Sequence, residues 1–425
     1  MSVSESSDNV VALGRGDFFA VDRRTWAMAF DTAGLHAALA YLVLARGSLA
    51  DMRTTSWSAE AINHRTRLNW RQAKEAIGKL IAAGLIRQDK GGSKPRYYIM
   101  PAHLVRGCEG FVAPSLTPAE KALHERMRSV RNKNKMLYIS IDHDQEHKMA
   151  CGLASRGYAR QNSPGSSFFA ALDPKTAETE TPPEWIWLPN AIVDGMSRET
   201  PPIEIARESG RPAALRLLVD LYAAQSLAEN GGVHWRQLRV AYERERVGQQ
   251  GIYVVWGFTK KTRETWGSVP FVNAHMTPGK DQEAGYKIFW EALEILTLAG
   301  LVEFVGHVID HDHDEGAVIH PYGWPKGEPA ERELAIAAHR AADAMLMDWQ
   351  KDKLRGEGKL DGMLLLPAKN HMVDVQLVGL ARLKYRARSA ATAAWMAKTG
   401  EWEALAKQFT DLADGTRSNV NAASC

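Results

Sequence analysis

Long hydrophobic runs are missing from this 425-residue chain. The longest unbroken apolar stretch, Ala37 to Ala45, has nine residues, half of the roughly 18 that a spanning helix needs. A membrane helix is excluded on that count, and no membrane partner is expected. The opening MSVSESSDNV is polar and lacks the basic start and apolar stretch of a secretory leader. Residues 1–16 read as a disordered lead-in, and the expected compartment is the cytoplasm. Cysteine is scarce as well. Cys108, Cys151 and Cys425 form no Cys-x-x-Cys pair and no even framework, which argues for a reducing compartment and against a thiolate zinc site. The phosphate-cradling Gly-x-x-x-x-Gly-Lys-Ser/Thr loop, the dinucleotide fingerprint and the Gly-x-Ser-x-Gly elbow are absent too. Thr277-Pro278-Gly279-Lys280 lacks the rest of such a loop. No enzymatic activity and no cofactor are expected.

What the chain does have is charge unevenly spread. The formal net charge is only +3. Yet Ser58 to Arg106 holds ten Lys or Arg against three acids, and Asp281 to His320 holds nine acids against Lys287 alone. A near-neutral total hides a basic module and an acidic one, and a local cationic excess is what a polyanion partner requires. A further basic stretch, residues 117–135, reads as a helix carrying a net charge of +4.

The basic module is patterned as helices followed by a hairpin. Leu35, Leu39, Leu42 and Val43 share one face of a helix from about Thr32 to Arg46. Ser58 caps a short helix running through Arg65, and Asn69 caps a longer one running through Ala83. In the longer helix Ala73, Ala76, Ile77 and Leu80 recur on the buried side. Gly84 ends it, Leu85 and Ile86 open a strand, Lys90-Gly91-Gly92-Ser93 turns, and Pro95 to Met100 returns.

These residues resemble the winged helix-turn-helix superfamily over residues 31–100. Ser58-Ala59-Glu60-Ala61-Ile62 matches the support helix, Arg67-Leu68-Asn69 the turn, and Leu80 to Ile86 the join of helix to wing. The resemblance implies a second helix lying in the major groove of duplex DNA. Its outer face offers Trp70, Arg71, Gln72, Lys74 and Lys79. Arg71 suits guanine O6 and N7, Gln72 suits adenine N6 and N7, and Lys74 and Lys79 suit phosphate. Trp70 equally suits packing against the first helix. The wing adds Lys90, Ser93, Lys94 and Arg96 for the backbone or minor groove.

A second phrase, ALEILTLAGLVEF, mirrors AIGKLIAAGLIRQ in ending a helix with Leu-x-x-Ala-Gly-Leu before a strand. It predicts a second winged module over about 211–322. Its helix and its tip, His311 to Glu315, are acidic and would repel phosphate, so dimerisation or partner binding is its expected role. The expected fold is mainly α with small β-hairpin wings: tandem winged domains and a C-terminal helical region. The expected domains are 17–112 (DNA-binding), 113–183 (basic helix and linker), 184–325 (second winged domain) and 326–425 (all helix). The basic run Leu380 to Lys398 reads as a solvated helix face. Two clusters, His143 to His147 and His311 to Asp314, have loose metal-ligand spacing and read as solvated loops, with no metal. The whole predicts a sequence-specific double-stranded DNA-binding protein, a homodimer, with a protein partner for its acidic module. Transcriptional regulation is the leading role, initiation of replication the alternative, and a non-enzymatic scaffold the second alternative.

Overall fold

The structure, a computed structural model, describes residues 17–92, 95–108, 116–130, 136–141, 144–155, 158–163, 166–171, 182–196, 199–273, 282–313, 315–359, 362–386 and 389–423. The expected lead-in, residues 1–16, lies outside them. Contacts divide the chain into one unit of residues 19–187 and another containing residues 188–425.

The first unit opens with β1 (Phe18–Asp22) and α1 (Arg23–Ala33). Asp22 caps α1 by accepting from the Arg24 amide at 3.1 Å, and its carboxylate also holds the Arg24 guanidinium in a buried pair. Helix α2 (Leu35–Arg46) carries the longest apolar run, and every residue from Ala37 to Ala45 is buried. A helix apolar all round becomes the hub that others pack on. Around it stand β2 (Thr54–Thr55), α3 (Ala59–Thr66), α4 (Trp70–Ala82), β3 (Ile86–Lys90) and β4 (Arg96–Ile99). The three strands form an antiparallel sheet in the order β2-β4-β3.

The same plan recurs in α5 (Pro118–Arg128), β5 (Leu137–Tyr138), α6 (Asp144–Ser155), β6 (Ala159–Gln161) and β7 (Phe168–Ala171), with sheet order β5-β7-β6. Leu85 N–H donates to the Leu80 carbonyl at 3.0 Å, and Tyr158 N–H to that of Leu153 at 2.9 Å. Gln88 pairs with the buried Tyr97, as Gln161 pairs with the buried Phe169. The sequences agree once these residues are aligned: LIAAGLIRQD against LASRGYARQN. Between β5 and α6 the chain has only residues 139–143, too few for a counterpart of the 8-residue α3. Two of its strands, β6 and β7, fall inside 113–183, in the part beyond the basic helix that was expected to be linker. The unit closes with the start of β8 (Trp185–Pro189), a partner of β1.

The second unit overturns the expected fold class. It contains a six-stranded antiparallel sheet in the order β14-β13-β16-β11-β12-β15. Before the sheet come α7 (Ala191–Asp194), α8 (Pro202–Glu208), α9 (Pro212–Ala223), β9 (Gln225–Ser226), α10 (Leu227–Asn230) and β10 (Gly232–Val233). The long hairpin β11 (Leu238–Gln250) and β12 (Tyr253–Gly267) follows, then α11 (Val269–Asn273), α12 (Gln282–Leu298), β13 (Val302–Ile309) and β14 (Val318–Tyr322). Last come α13 (Pro329–Ala344), α14 (Asp348–Gly356), β15 (Leu364–Lys369), β16 (Gln376–Leu383), α15 (Ala390–Ala397) and α16 (Thr399–Ala423). Among the described residues no helix is long and apolar enough to cross a membrane.

Two expectations fail here for one reason. The hairpin β13–β14 is not a free wing, because the outer edge of β13 is hydrogen-bonded along its length to β16. Residues 326–425 are not all helix, because they supply β15 and β16 to the same sheet. Leu377 to Leu383 is buried without a break, as a central strand covered on both faces must be. Alanines 335, 338 and 342 of α13 pack into the core beneath the sheet with Phe258, Leu365 and Leu366.

The shared phrase Leu-x-x-Ala-Gly-Leu has its own explanation. Gly84 and Gly300 both take left-handed φ, +69° and +66°, and Leu301 N–H donates to the Leu296 carbonyl at 2.9 Å as Leu85 does to Leu80 at 3.0 Å. The phrase writes a helix C-terminus turning into a strand. It does not specify what the strand pairs with.

Candidate nucleic-acid interface

The residues singled out from sequence lie on α4 and on the β3–β4 hairpin. Helix α4 is strongly two-sided. Ala73, Ala76, Ile77 and Leu80 are buried, while Trp70, Arg71, Lys74, Glu75, Gly78 and Lys79 are exposed. Its start is fixed by a reciprocal capping box. Asn69 Oδ1 accepts from the Gln72 amide at 2.9 Å, and Gln72 Oε1 accepts from the Asn69 amide at 3.0 Å.

That box changes the role of Gln72. A bidentate contact to adenine needs the side-chain oxygen as acceptor and the side-chain nitrogen as donor. Here the oxygen is engaged with the helix start. Gln72 helps fix the start of α4, and Arg71 is the exposed cation of its first turn. Trp70 does not pack into the core. It is 50% exposed and its ring lies under the Lys74 ammonium, 5.0 Å from Nζ. Such stacking narrows the directions Lys74 can take. Lys79 is tied to Glu75 at 3.1 Å on the exposed surface, so its charge is partly answered within the helix.

Arg67 is a residue the sequence reading used only as part of a turn. It ends α3 with φ +55°, in the left-handed region, and its N–H donates to the Asn63 carbonyl at 3.0 Å. Glycine is the residue that conformation favours. An exposed arginine stands there instead, immediately before α4. Behind it, Trp57 carries Arg65 at 3.7 Å and Arg46 at 5.5 Å from its ring.

On the hairpin, Lys90 and Arg96 are exposed and face each other across the β3–β4 register. Arg87 leans on Asp89 at 2.8 Å and over the Tyr98 ring. Ser93 and Lys94, expected at the tip, lie outside the described residues. The structure thus collects Trp70, Arg71, Lys74 and Lys79 on one helix face, and Lys90 and Arg96 on the adjoining hairpin.

The other charged segments are arranged differently. The run Leu380 to Lys398 is no solvated helix face. Arg382 is buried on β16, Lys384 pairs with Glu199, Arg386 pairs with Glu328, and Lys398 lies over Trp395. The acidic tip at 311–315 is partly neutralised from within, as Arg239 grips Asp312 at 2.5 and 3.2 Å. His143 falls outside the described residues, and His147 packs its ring on Phe169. In the copy of the module, the position of Arg71 on α4 corresponds to Asp144 on α6, so the cationic helix face is not repeated.

No protein family matches the chain, and neither a curated protein nor a solved structure is significantly similar to it.

Proposed function

We propose that residues 35–99 form a winged helix-turn-helix that binds double-stranded DNA, with α4 in the major groove and the β3–β4 hairpin on the backbone. The observation that carries this reading is the outward face of α4, where Arg71 and Lys74 are exposed on a capped helix whose opposite face is core. Arg71 reads a base edge; Arg67, Lys74 and Arg96 neutralise phosphates. Initiation of replication is the second reading: residues 211–322 contribute to the six-stranded sheet and are not a winged module, while the repeat over 118–171 keeps a tandem of related modules in the chain. Transcriptional regulation is the role we propose, with two chains on paired half-sites.

The test is selection of preferred duplexes from a random pool, then binding across salt. Arg71→Ala should cut the ratio of specific to random-duplex affinity about tenfold, within the ~1–3 kcal/mol of one bidentate base contact. Lys74→Ala and Arg96→Ala should weaken both affinities alike and lower the slope of log K against log salt by about one each. Wild-type protein that ignores duplex DNA at about 50 mM salt refutes the reading, since phosphate contacts strengthen as salt falls.

A further inference from the structure

In the second unit a cavity of about 290 Å³ lies against strands β12 to β15 and helix α16. Its walls are mostly apolar, with Val308, Ile319, Leu366, Met372, Leu405 and Phe409 among them. Tyr253 and the exposed Lys369, His371 and Gln408 line it too, and one polar group is buried. His320 on β14 is only 6% exposed and lines this cavity. Its Nδ1 lies 2.9 Å from the Pro321 carbonyl oxygen. A carbonyl accepts and never donates, so Nδ1 must carry the proton. The other face of the ring packs edge-on against Phe409.

The tautomer has a chemical consequence. With Nδ1 protonated and the ring neutral, Nε2 presents a lone pair and no hydrogen. Burial keeps the ring neutral, holding its pKa down to about 4. No protein group donates to Nε2 among the described residues. Nε2 is not sealed from solvent, so a ligand donor there takes the place of water, and pockets of this kind use a few polar groups to orient an otherwise apolar ligand.

We propose that this cavity is a binding site for a small, neutral, largely apolar molecule carrying one hydroxyl or N–H donor, which points at Nε2 of His320. The size suits a fused bicyclic aromatic alcohol. At Nε2 itself a carboxylate is disfavoured, because an anion would face the lone pair of a neutral imidazole; the one cation of the lining is the exposed Lys369. The site lies wholly within residues 253–412, and the proposal stands apart from DNA binding.

The experiment is calorimetric titration of the full chain, without DNA, with 2-naphthol, naphthalene and 2-naphthoate. We expect 2-naphthol to bind at least tenfold more tightly than either of the others. His320→Phe should remove its advantage over naphthalene, and Leu405→Trp, which fills the cavity, should abolish binding of both. A measurement on the wild type guards against unfolded variants: adding 2-naphthol should shift the ¹⁵N resonance of His320 Nε2 as it gains a hydrogen bond. Absence of 2-naphthol binding, equal affinity for naphthalene, tighter binding of 2-naphthoate, or an unmoved Nε2 resonance on saturation would each overturn the proposal.

Discussion

At the scale of single residues, the second unit is held by charges that water never reaches. Arg382 on β16 grips Glu331 on α13 through two bonds of 2.5 and 2.7 Å, with side chains 2% and 0% exposed. The same guanidinium donates to Nε2 of His307 at 2.9 Å, and Nδ1 of His307 donates to the Val305 carbonyl. Breaking one half of such a pair strands the other, so Glu331→Gln or Arg382→Met should cost about 3–5 kcal/mol, read as a fall in the denaturant midpoint. Replacing both together by Leu and Met should recover most of the loss. Protonation probes the same core. His320 titrates near 4 and His307 well below the ordinary 6.5, both chiefly because burial penalises the charged ring. The unfolded chain takes these protons first. Stability is therefore intact above pH 6.5 and drains as pH falls toward 4, by up to roughly 3 kcal/mol for His320. Melting temperature against pH should show that slope, and His320→Phe should flatten it in this window.

At the scale of elements, what could be read in the sequence was local and what could not was long-range. The caps at Ser58 and Asn69, the buried side of α4 and the glycine stop at Gly84 were all written within a few residues of one another. So was the outward cationic face. The sheet was not. Strand β11 reads LRVAYERERVGQQ, where Arg and Glu blur any alternation, and it exists because β12 and β16 pair with its two edges. Leu380 to Lys398 looked basic and helical because the acids that answer it, Glu199, Glu328 and Glu331, lie far off in sequence. The role of Gln72 was hidden by a choice between two hydrogen bonds that composition cannot decide. Two glycines, one within α4 and one just past its end, give a paired test of element stability. Gly78 is exposed with open space where a Cβ would go, whereas Gly84 needs φ +69°. Gly78→Ala should raise stability by about 0.5–1 kcal/mol, and Gly84→Ala should lower it by about 1–2 kcal/mol, both seen in thermal melts of the first unit.

At the scale of the whole molecule, the first unit needs more chain than its winged module. Arg23 N–H donates to the Glu184 carbonyl, Arg24 to the Pro182 carbonyl, and Arg53 lies over the Trp185 ring at 4.9 Å. A fragment ending at residue 112 forfeits all three. One ending at residue 189 keeps them and should resist thermolysin longer; equal digestion would mean that β8 adds nothing to the unit. The bond between Arg382 and Glu331 has a further consequence over evolutionary time. Either replacement alone passes through a poorly folded ancestor, so drift at one position is barred while the other stands. Across descendants of this gene the two sites should be inherited as a couple, both kept or both exchanged for greasy side chains, and a lineage with a lone survivor should be rare.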